Sequence, residues 1–350
     1  MMTDKNGIPI EKLHIDIQKA PAPRELTHEE LEKLAKDKNP LSDFKRNKYE
    51  LEAQKNWDKF YKRNTTKFFK DRHWTTREFE DLCGNAETSG DAEVTTLLEV
   101  GCGVGNFIWP LLSEKKNFYF YACDFSPRAV QFVKENALYR EDCCKAFQCD
   151  LVKDNLNDNV PADSVDIVTM IFVLSAIHPD KMPQALTNIL KVLRPGGCVL
   201  FRDYGLYDHA MLRFAPGHKL EENFYVRQDG TRAFYFSLDF LKEMFTEAGF
   251  NCENIEYVFR ETVNRKEGLC VPRIFLQAKF TKPLIAVEGH GKIDGASVSH
   301  MQCHESQKHE HVENNCNTDP VTSLDKEHYS INEINETKTD LQPSHAKIGT

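Results

Sequence analysis

The chain has 350 residues, of which 40% are hydrophobic and 28% are charged, and its net charge at pH 7 is −9. This composition supports a sizeable core, in one large domain or two small ones. No apolar run approaches the roughly 18 residues of a membrane span, and the cysteines form no paired framework. The N-terminus is acidic and polar, without the features of a secretory or mitochondrial leader. We therefore expect a protein of the cytoplasm, with the nucleus as a second location.

The negative charge lies largely at the C-terminal end. Residues 284–350 contain five lysines against eleven acidic residues, a net charge of −6, with few large apolar side chains. Low hydrophobicity with excess charge is typical of disorder, so we predict an acidic disordered tail over 284–350. The tail contains Cys303-His304 and the pair His309 and His311, but their spacing matches no closed four-ligand zinc site. No metal is expected.

The N-terminal segment, residues 1–40, is predicted to be flexible, with disorder over 1–24 because this stretch is polar and contains proline. A short helix is predicted from Thr27 to Lys36. Thr27 is its cap, and Glu30 three residues later completes a capping box.

Residues 41–95 form a basic and aromatic extension, predicted to be helical. Between residues 45 and 77, eleven Lys or Arg residues stand against four acidic ones, a net charge of +7, with aromatic side chains interleaved. One helix is predicted over 43–62. Basic and aromatic residues together are typical of an RNA-binding surface, but a solvated amphipathic helix explains the charge equally well.

From residue 96 the chain alternates strands and helices, as a mostly parallel, doubly wound α/β sheet requires. The predicted strands are 96–100, 119–123, 145–149, 165–173 and 198–203. The predicted helices are 105–114, 127–136, 181–193 and 237–248. Runs at 254–261 and 272–280 are predicted to close the sheet as an antiparallel pair. A Rossmann-like domain is thus predicted over 96–283, with an insertion at 204–236.

The first predicted strand runs into a glycine-rich turn, LLEVGCGVGN at 97–106. Glycine allows a sharp strand-to-helix turn and close approach of the backbone to a ligand, so Gly101 and Gly103 are candidate cofactor contacts. Asp124 ends the next strand, where an acid accepts hydrogen bonds from a ribose diol. Asp150 follows the third strand, where an acid suits an adenine amine. The pattern is typical of class I methyltransferases that use S-adenosylmethionine (SAM).

Other readings of the turn stay open. An NAD-dependent enzyme would have the same glycine turn and the same acid after the second strand. Asn106 stands where its GxGxxG fingerprint has the third glycine, which favours SAM. A turn with a purely structural role is the remaining alternative.

Five longer segments are more specific than the glycine turn. They are EAQKNWDKFYKRN at 52–64, FFKDRHWTTREF at 68–79, ACDFSPRA at 122–129, FRDYGLYDHAMLRF at 201–214 and FYVRQDGTR at 224–232. Together they resemble the eukaryotic tRNA N3-methylcytidine methyltransferases, over roughly residues 40–282. Within that family the chain is most similar to the branch that acts on serine tRNAs.

The resemblance implies methyl transfer from SAM to N3 of cytidine 32 in the anticodon loop of serine tRNAs, with help from seryl-tRNA synthetase. Cofactor contacts of the family carry over onto Trp57, Tyr61, Gly101, Asp124, Asp150 and Ile171. A helix outside the core that carries Trp57 and Tyr61 would act as a lid over SAM. By pattern alone, these two residues are more often a packing stripe, and Ile171 is as readily a core residue.

Basic and aromatic side chains in the extension and in the insertion are the candidate tRNA contacts, because such residues hold phosphates and unstacked bases. They are Lys62, Arg63, Lys67, Lys70, Arg72, Tyr204, Arg213 and Arg227. Some aromatic residues of the insertion must instead pack on the core. His178, after the fourth strand, is a weaker base contact, with a structural hydrogen bond as the favoured alternative.

Asp203, which ends the fifth strand, is the candidate catalytic residue. Cytosine N3 has an in-plane lone pair and needs no strong base, but the methylated ring is cationic. A nearby carboxylate would stabilise that charge more in the transition state than in the ground state. Alternatively, Asp203 pairs with Arg202 or another arginine to hold the insertion.

Two other functions stay open for the chain as a whole. One is a SAM-dependent enzyme that acts on a small molecule or a protein. The other is a catalytically silent SAM-binding adaptor, which the set of Gly101, Asp124, Asp150 and Asp203 disfavours.

Overall fold

The computed structural model describes residues 18–37, 40–83, 94–114, 117–264 and 269–284. The predicted tail from residue 285 onward, with its Cys and His groups, lies outside the described residues, as do residues 1–17. Among the described residues, no helix is long and apolar enough to cross a membrane. The same residues contain no group of three or more His, Cys, Asp or Glu side chains that could hold a metal ion.

An eight-stranded sheet forms the centre of the fold. The strands, in chain order, are β1 (Gln18–Ala20), β2 (Thr95–Val100), β3 (Phe118–Asp124), β4 (Cys144–Gln148), β5 (Val165–Ile171), β6 (Leu193–Tyr204), β7 (Lys219–Glu221), β8 (Phe224–Val226), β9 (Arg232–Phe234), β10 (Asn251–Asn264) and β11 (Leu269–Thr281). The order in the large sheet is β1-β10-β11-β6-β5-β2-β3-β4, and β7, β8 and β9 form a second sheet. Strands β2 to β6 pair in parallel, whereas β10 and β11 are antiparallel. The predicted Rossmann-like, doubly wound fold is confirmed.

Nine α-helices lie within the described residues, and the longer ones of the Rossmann-like domain bury an apolar face. They are α1 (His28–Lys36), α2 (Asp43–Leu51), α3 (Ala53–Asn64), α4 (Thr75–Glu78), α5 (Ile108–Ser113), α6 (Pro127–Lys134), α7 (Met182–Val192), α8 (His209–Leu212) and α9 (Leu238–Glu247). Central strands such as β5 are buried along almost their whole length, because helices cover both faces of a parallel sheet. Helix α5 begins only at Ile108 because the glycine turn occupies the residues before it.

The N-terminal part differs from the prediction in two places. The single helix predicted over 43–62 is two helices, α2 and α3, separated at Glu52. Within the stretch predicted to be disordered, β1 pairs with the edge strand β10, with Lys19 opposite Val258. This pairing uses backbone groups, so the side chains of β1 give little signal for it.

The predicted capping box of α1 is confirmed. The Thr27 hydroxyl accepts the Glu30 N–H at 3.3 Å, and the Glu30 carboxylate accepts the Thr27 N–H at 2.9 Å. Lys33 Nζ donates to the Leu212 carbonyl at 2.5 Å. Helix α1 is therefore attached to the segment between β6 and α9, which contains α8 and the second sheet.

Candidate active site

The glycine turn after β2 leaves no space for a side chain at any of its three glycines, Gly101, Gly103 and Gly105. Gly101 and Gly103 have φ angles of +62° and +54°, which favour glycine. A Cβ atom on Gly101 would lie 2.2 Å from Cγ2 of Val173, and one on Gly103 would lie 2.9 Å from the Tyr61 hydroxyl. Both the backbone conformation and the close neighbours therefore require glycine here.

Asp124 joins the end of β3 to the glycine turn. Its carboxylate is buried and accepts the Gly103 N–H at 3.0 Å and the Ser126 N–H at 2.9 Å. Burial raises the pKa of Asp124 to about 6, although the two backbone hydrogen bonds oppose this shift. The structure thus brings Asp124 and Gly103 into direct contact, as their spacing predicts.

Glu99 and Arg72 form a second polar contact beside the turn, and sequence reasoning missed their relationship. Glu99 is buried on β2 with its Oε1 3.9 Å from an Arg72 guanidinium nitrogen, and its Oε2 has no hydrogen-bond partner among the described residues. Burial raises the pKa of Glu99 to about 8, against the opposing effect of Arg72. Arg72 also donates to the Ile171 carbonyl at 3.2 Å. The acid between the apolar residues Leu98 and Val100 was the available signal.

Helix α3 covers the glycine turn. Phe60 and Tyr61 are buried against Val104 of the turn and Ala129 of α6, and Trp57 packs beside them with its ring 6.0 Å from that of Tyr61. The aromatic pair therefore packs as a stripe and also lies over the predicted cofactor site.

Polar contacts attach the outer part of α3 to the loop after β3. The Asp58 carboxylate accepts the Ser126 hydroxyl at 3.0 Å and lies 3.4 Å from Arg128. On the other side of the helix, Asn56 donates to the Gly230 carbonyl at 3.2 Å. Helix α3 therefore joins the cofactor end of the sheet to the insertion, and neither contact was predicted from the sequence.

Asp150 and Ile171 lie at the same carboxyl edge of the sheet, after β4 and at the end of β5. Asp150 is half-buried, accepts the Val152 N–H at 3.0 Å and lies 3.0 Å from the Lys153 ammonium. Ile171 is buried, and its link to the glycine turn runs through Arg72. The candidate cofactor residues thus share one edge, although Asp150 makes its contacts locally.

Asp203 is fully buried and is hydrogen-bonded to backbone rather than to Arg202. Its carboxylate accepts the Ser175 and Tyr204 N–H groups, each at 2.9 Å. Burial raises the pKa of Asp203 to about 6, while these hydrogen bonds and the nearby Arg227 lower it. Arg202 instead donates to Gln277 at 3.0 Å. Of the arginines that the alternative pairing considers, Arg227 is the one whose charge lowers the pKa of Asp203.

The candidate tRNA contacts fall into two groups. Lys62, Arg63 and Lys67 are exposed, as is Arg213 after α8, and Arg63 lies 3.5 Å from Asp229. Lys70 is half-buried. Two others, Tyr204 and Arg227, are half-buried and contact each other, with the guanidinium carbon 5.5 Å from the ring centroid.

Arg72 differs from the exposed candidate cations in its surroundings. Its side chain is only 16% exposed and is directed to Glu99 and Ile171, because the segment after α3 returns to the glycine turn through a hydrogen bond from the Arg72 N–H to Asn106. His178 makes structural contacts: its Nδ1 accepts the Asp180 N–H at 3.3 Å.

The glycine turn and the carboxylates around it fit SAM. The turn has a tightly packed backbone on which a Cβ atom at Gly101 or Gly103 would collide with Val173 or Tyr61, Asp124 lies beside it, and Glu99 presents a buried oxygen without a partner among the described residues. A cofactor with a cationic end and a ribose diol matches this set of groups.

Comparison with known proteins agrees with this geometry. Residues 98–199 match the family described as "Methyltransferase domain". The human tRNA N(3)-cytidine methyltransferase METTL6 is 64% identical over 260 residues, which cover 74% of this chain and 91% of the human protein. The tRNA N(3)-methylcytidine methyltransferase trm141 of Schizosaccharomyces pombe is 43% identical over 245 residues, 69% of this chain and 97% of that protein.

A third relative is the tRNA(Thr) (cytosine(32)-N(3))-methyltransferase of Saccharomyces cerevisiae. It is 44% identical over 250 residues, which cover 70% of this chain and 40% of the yeast protein. The chain therefore belongs to the tRNA N(3)-cytidine methyltransferases, which are SAM-dependent enzymes.

Proposed function

We propose that this chain methylates N3 of cytidine 32 in the anticodon loop of serine tRNAs, in the cytoplasm. Seryl-tRNA synthetase is the proposed partner that selects the tRNA. The name of the yeast relative supports the position, since it specifies cytosine 32. The serine branch is what the resemblance of the five segments between residues 52 and 232 implies.

The chain's own residues would hold the cofactor at the carboxyl edge of the sheet. SAM, when bound, supplies an electrophilic methyl group. Gly101 and Gly103 would let the backbone approach it, Asp124 would accept a ribose hydroxyl, and Asp150 would accept the adenine amine. Glu99 Oε2, which has no hydrogen-bond partner within the described part of the chain, suits the cationic amino end. Helix α3 would exclude water from this site, because Tyr61 already lies on the glycine turn.

One observation carries the proposal: the loop after β5 joins the cofactor turn to Asp203. The Val173 side chain fills the space next to Gly101, and two residues later the Ser175 N–H binds the Asp203 carboxylate at 2.9 Å. A methyl donor on the turn and a nucleotide beside Asp203 would therefore meet across this loop. Asp203 would stabilise the positive charge that develops on the cytosine ring.

The exposed cations at the end of α3 supply the first test. A triple variant in which Lys62, Arg63 and Lys67 are all changed to Glu should bind tRNA at least tenfold more weakly. The salt dependence of its tRNA binding should be less steep, because each phosphate contact releases counterions. The affinity for SAM should stay within about twofold of wild type. Filter binding over a range of salt concentrations measures the first effect, and calorimetry measures the second.

A matched variant controls for net charge. Lys145, Lys191 and Lys242 are exposed on other elements, and their change to Glu alters the charge by the same amount. This variant should retain tRNA affinity apart from a small long-range effect. Equal losses in both variants would mean that tRNA does not bind at the end of α3.

The substrate is tested directly with tritiated SAM. The purified chain is incubated with tRNA from a strain that lacks the activity, with and without seryl-tRNA synthetase, and each tRNA species is captured and digested. We expect N3-methylcytidine at position 32 of serine tRNAs, with a higher rate when the synthetase is present. Methylation of other tRNAs to the same extent, or no effect of the synthetase, would overturn the corresponding part of the proposal.

A further inference from the structure

The rings of Phe172 and Tyr204 and three arginines meet at the carboxyl edge of β5 and β6, beside the ring of Phe275. The ring centroids of Phe172 and Tyr204 are 5.2 Å apart. The Arg72 guanidinium carbon lies 5.6 Å from the Phe172 ring, and those of Arg227 and Arg273 lie 5.5 and 6.0 Å from the Tyr204 ring. We call these five residues the aromatic–arginine cluster. Its chemistry matches an unstacked RNA nucleotide, which needs an aromatic surface for the base and positive charge for the phosphate.

The backbone of Phe172 is in an unfavourable conformation. Its φ angle is +59°, a region that bulky side chains rarely adopt. A hydrogen bond of 2.8 Å from its N–H to the Arg202 carbonyl holds it there. Strained residues of this kind concentrate at functional sites, where the surrounding structure fixes a side chain in a required direction.

The neighbours of Phe172 already have other contacts. Ile171 is buried, Val173 packs on Gly101, and Ser175 binds Asp203. The Phe172 ring is half-buried and begins the same loop, directly before Val173 on the cofactor turn and three residues before Ser175 on the candidate catalytic carboxylate. It is thus the aromatic side chain of this loop that a base entering between the two would meet.

We propose that Phe172 packs against the target cytosine and positions N3 for methyl transfer. This inference rests on the proposed function, because it assumes that a cytosine of tRNA enters beside Asp203. Neither the motif resemblance nor the glycine turn assigns a role to Phe172. The positive charge of Arg227 beside the Tyr204 ring favours an RNA nucleotide over an uncharged small molecule at this position.

Phe172→Leu and Phe172→Tyr test the proposal as a pair. Leucine keeps an apolar side chain without the aromatic face, so kcat/KM for tRNA should fall by about tenfold or more, as is usual when a base loses its aromatic contact. Tyrosine keeps the ring and should restore most of the activity. The Kd for SAM and the melting temperature should change little in both variants.

Phe240→Leu is the matched control. Phe240 is also half-buried and packs against aromatic rings, but it lies on α9 in the core cluster, away from the loop after β5. Its change to leucine should alter stability without a specific loss of kcat/KM for tRNA. A similar loss in Phe240→Leu and Phe172→Leu would make the effect one of folding and would overturn the proposal.

Photo-crosslinking provides a readout that a structural role would not affect. A tRNA with 5-iodocytidine at the methylated position is irradiated in the complex, and the linked peptide is identified by mass spectrometry. We expect the crosslink on Phe172. A crosslink elsewhere, with full activity of Phe172→Leu, would overturn the inference while wild-type methylation still supports the proposed function. Absence of N3-methylcytidine in the wild-type reaction would instead contradict the proposed function itself.

Discussion

Gly101→Val is expected to abolish measurable SAM binding while the Rossmann-like core stays folded. The new Cβ would lie 2.2 Å from Cγ2 of Val173 and would force a β-branched residue into a φ angle of +62°. The displaced side chain and turn would then occupy the space that the cofactor backbone contacts require. Isothermal calorimetry measures the affinity, and circular dichroism with thermal melting checks the fold.

Gly217→Ala is the control for backbone strain. Gly217 also has a positive φ, +86°, but a Cβ atom there would meet nothing within 4 Å. Gly217→Ala should therefore introduce similar backbone strain without weakening SAM binding.

Asp124→Ala should also abolish SAM binding, because it removes both the proposed ribose acceptor and the acceptor for the Gly103 N–H. Wild-type affinity in both Gly101→Val and Asp124→Ala would refute the cofactor site.

The parts of the site that follow from local spacing are those that the sequence predicts well. Gly101, Gly103 and Asp124 belong to one strand-turn-helix-strand unit, in which spacing alone determines which groups meet. The contact of Glu99 with Arg72 joins residues on separate elements, and its geometry depends on how the segment after α3 returns to the sheet. No hydrophobic pattern in the sequence indicates where the segment after α3 contacts the sheet, so the inward direction of the Arg72 side chain could not be predicted.

The relative direction of the Arg202 and Asp203 side chains could have been predicted from the sequence. Consecutive residues of a strand point to opposite faces of the sheet, so their side chains could not pair across β6. The structure places Arg202 on the face where its guanidinium lies 3.6 Å from Glu78 and 4.4 Å from the centroid of the Trp74 ring. The binding partner Glu78 comes from the extension, which explains why a reading of the fifth strand alone missed it.

The positive φ angle of Phe172, unlike the side-chain directions in β6, could not be predicted from the sequence. The strand pattern predicts an extended conformation up to residue 173, whereas β5 ends at Ile171 and the next residue has a positive φ. Local preference opposes this conformation for phenylalanine, and its hydrogen bond to the Arg202 carbonyl of β6 holds it there. Features that contradict local preference are visible only when the surrounding structure is known.

Asp203→Asn is expected to lower kcat by at least tenfold, about 1.4 kcal/mol of transition-state stabilisation per decade, with little change in the affinities for SAM and tRNA. The variant loses the negative charge that would oppose the positive charge on the methylated ring. Its amide nitrogen would also face one of the two backbone N–H groups that the carboxylate now accepts, so some loss of stability is expected. Single-turnover kinetics with saturating SAM and tRNA separate the chemical step from binding.

Asp166→Asn controls for that loss of stability. Asp166 likewise accepts a backbone N–H, that of Thr96 at 2.7 Å, but it lies near the start of β5, at the opposite end of the strand from Phe172 and the cofactor turn. The Asp166→Asn substitution should lower the melting temperature without a specific loss of kcat. If the fall in kcat for Asp203→Asn merely follows the melting temperature, as in Asp166→Asn, Asp203 is structural and another group stabilises the charge.

The pH dependence of the same pair gives an independent check. Burial raises the pKa of Asp203 from 3.8 to about 6, so a required carboxylate would make the wild-type kcat fall about tenfold per pH unit below about 6. Asp203→Asn should lack this acid limb. Asp124 has a pKa of about 6 as well, and its protonation should affect kcat/KM for SAM rather than kcat at saturating SAM.

A carboxyl with a raised pKa stabilises the fold fully below pH 3.8 and loses that contribution as the pH rises through about 6. Unfolding driven by Asp203 therefore does not explain a loss of activity at acid pH. An acid limb that is unchanged in Asp203→Asn would assign the titration seen in kcat to another group.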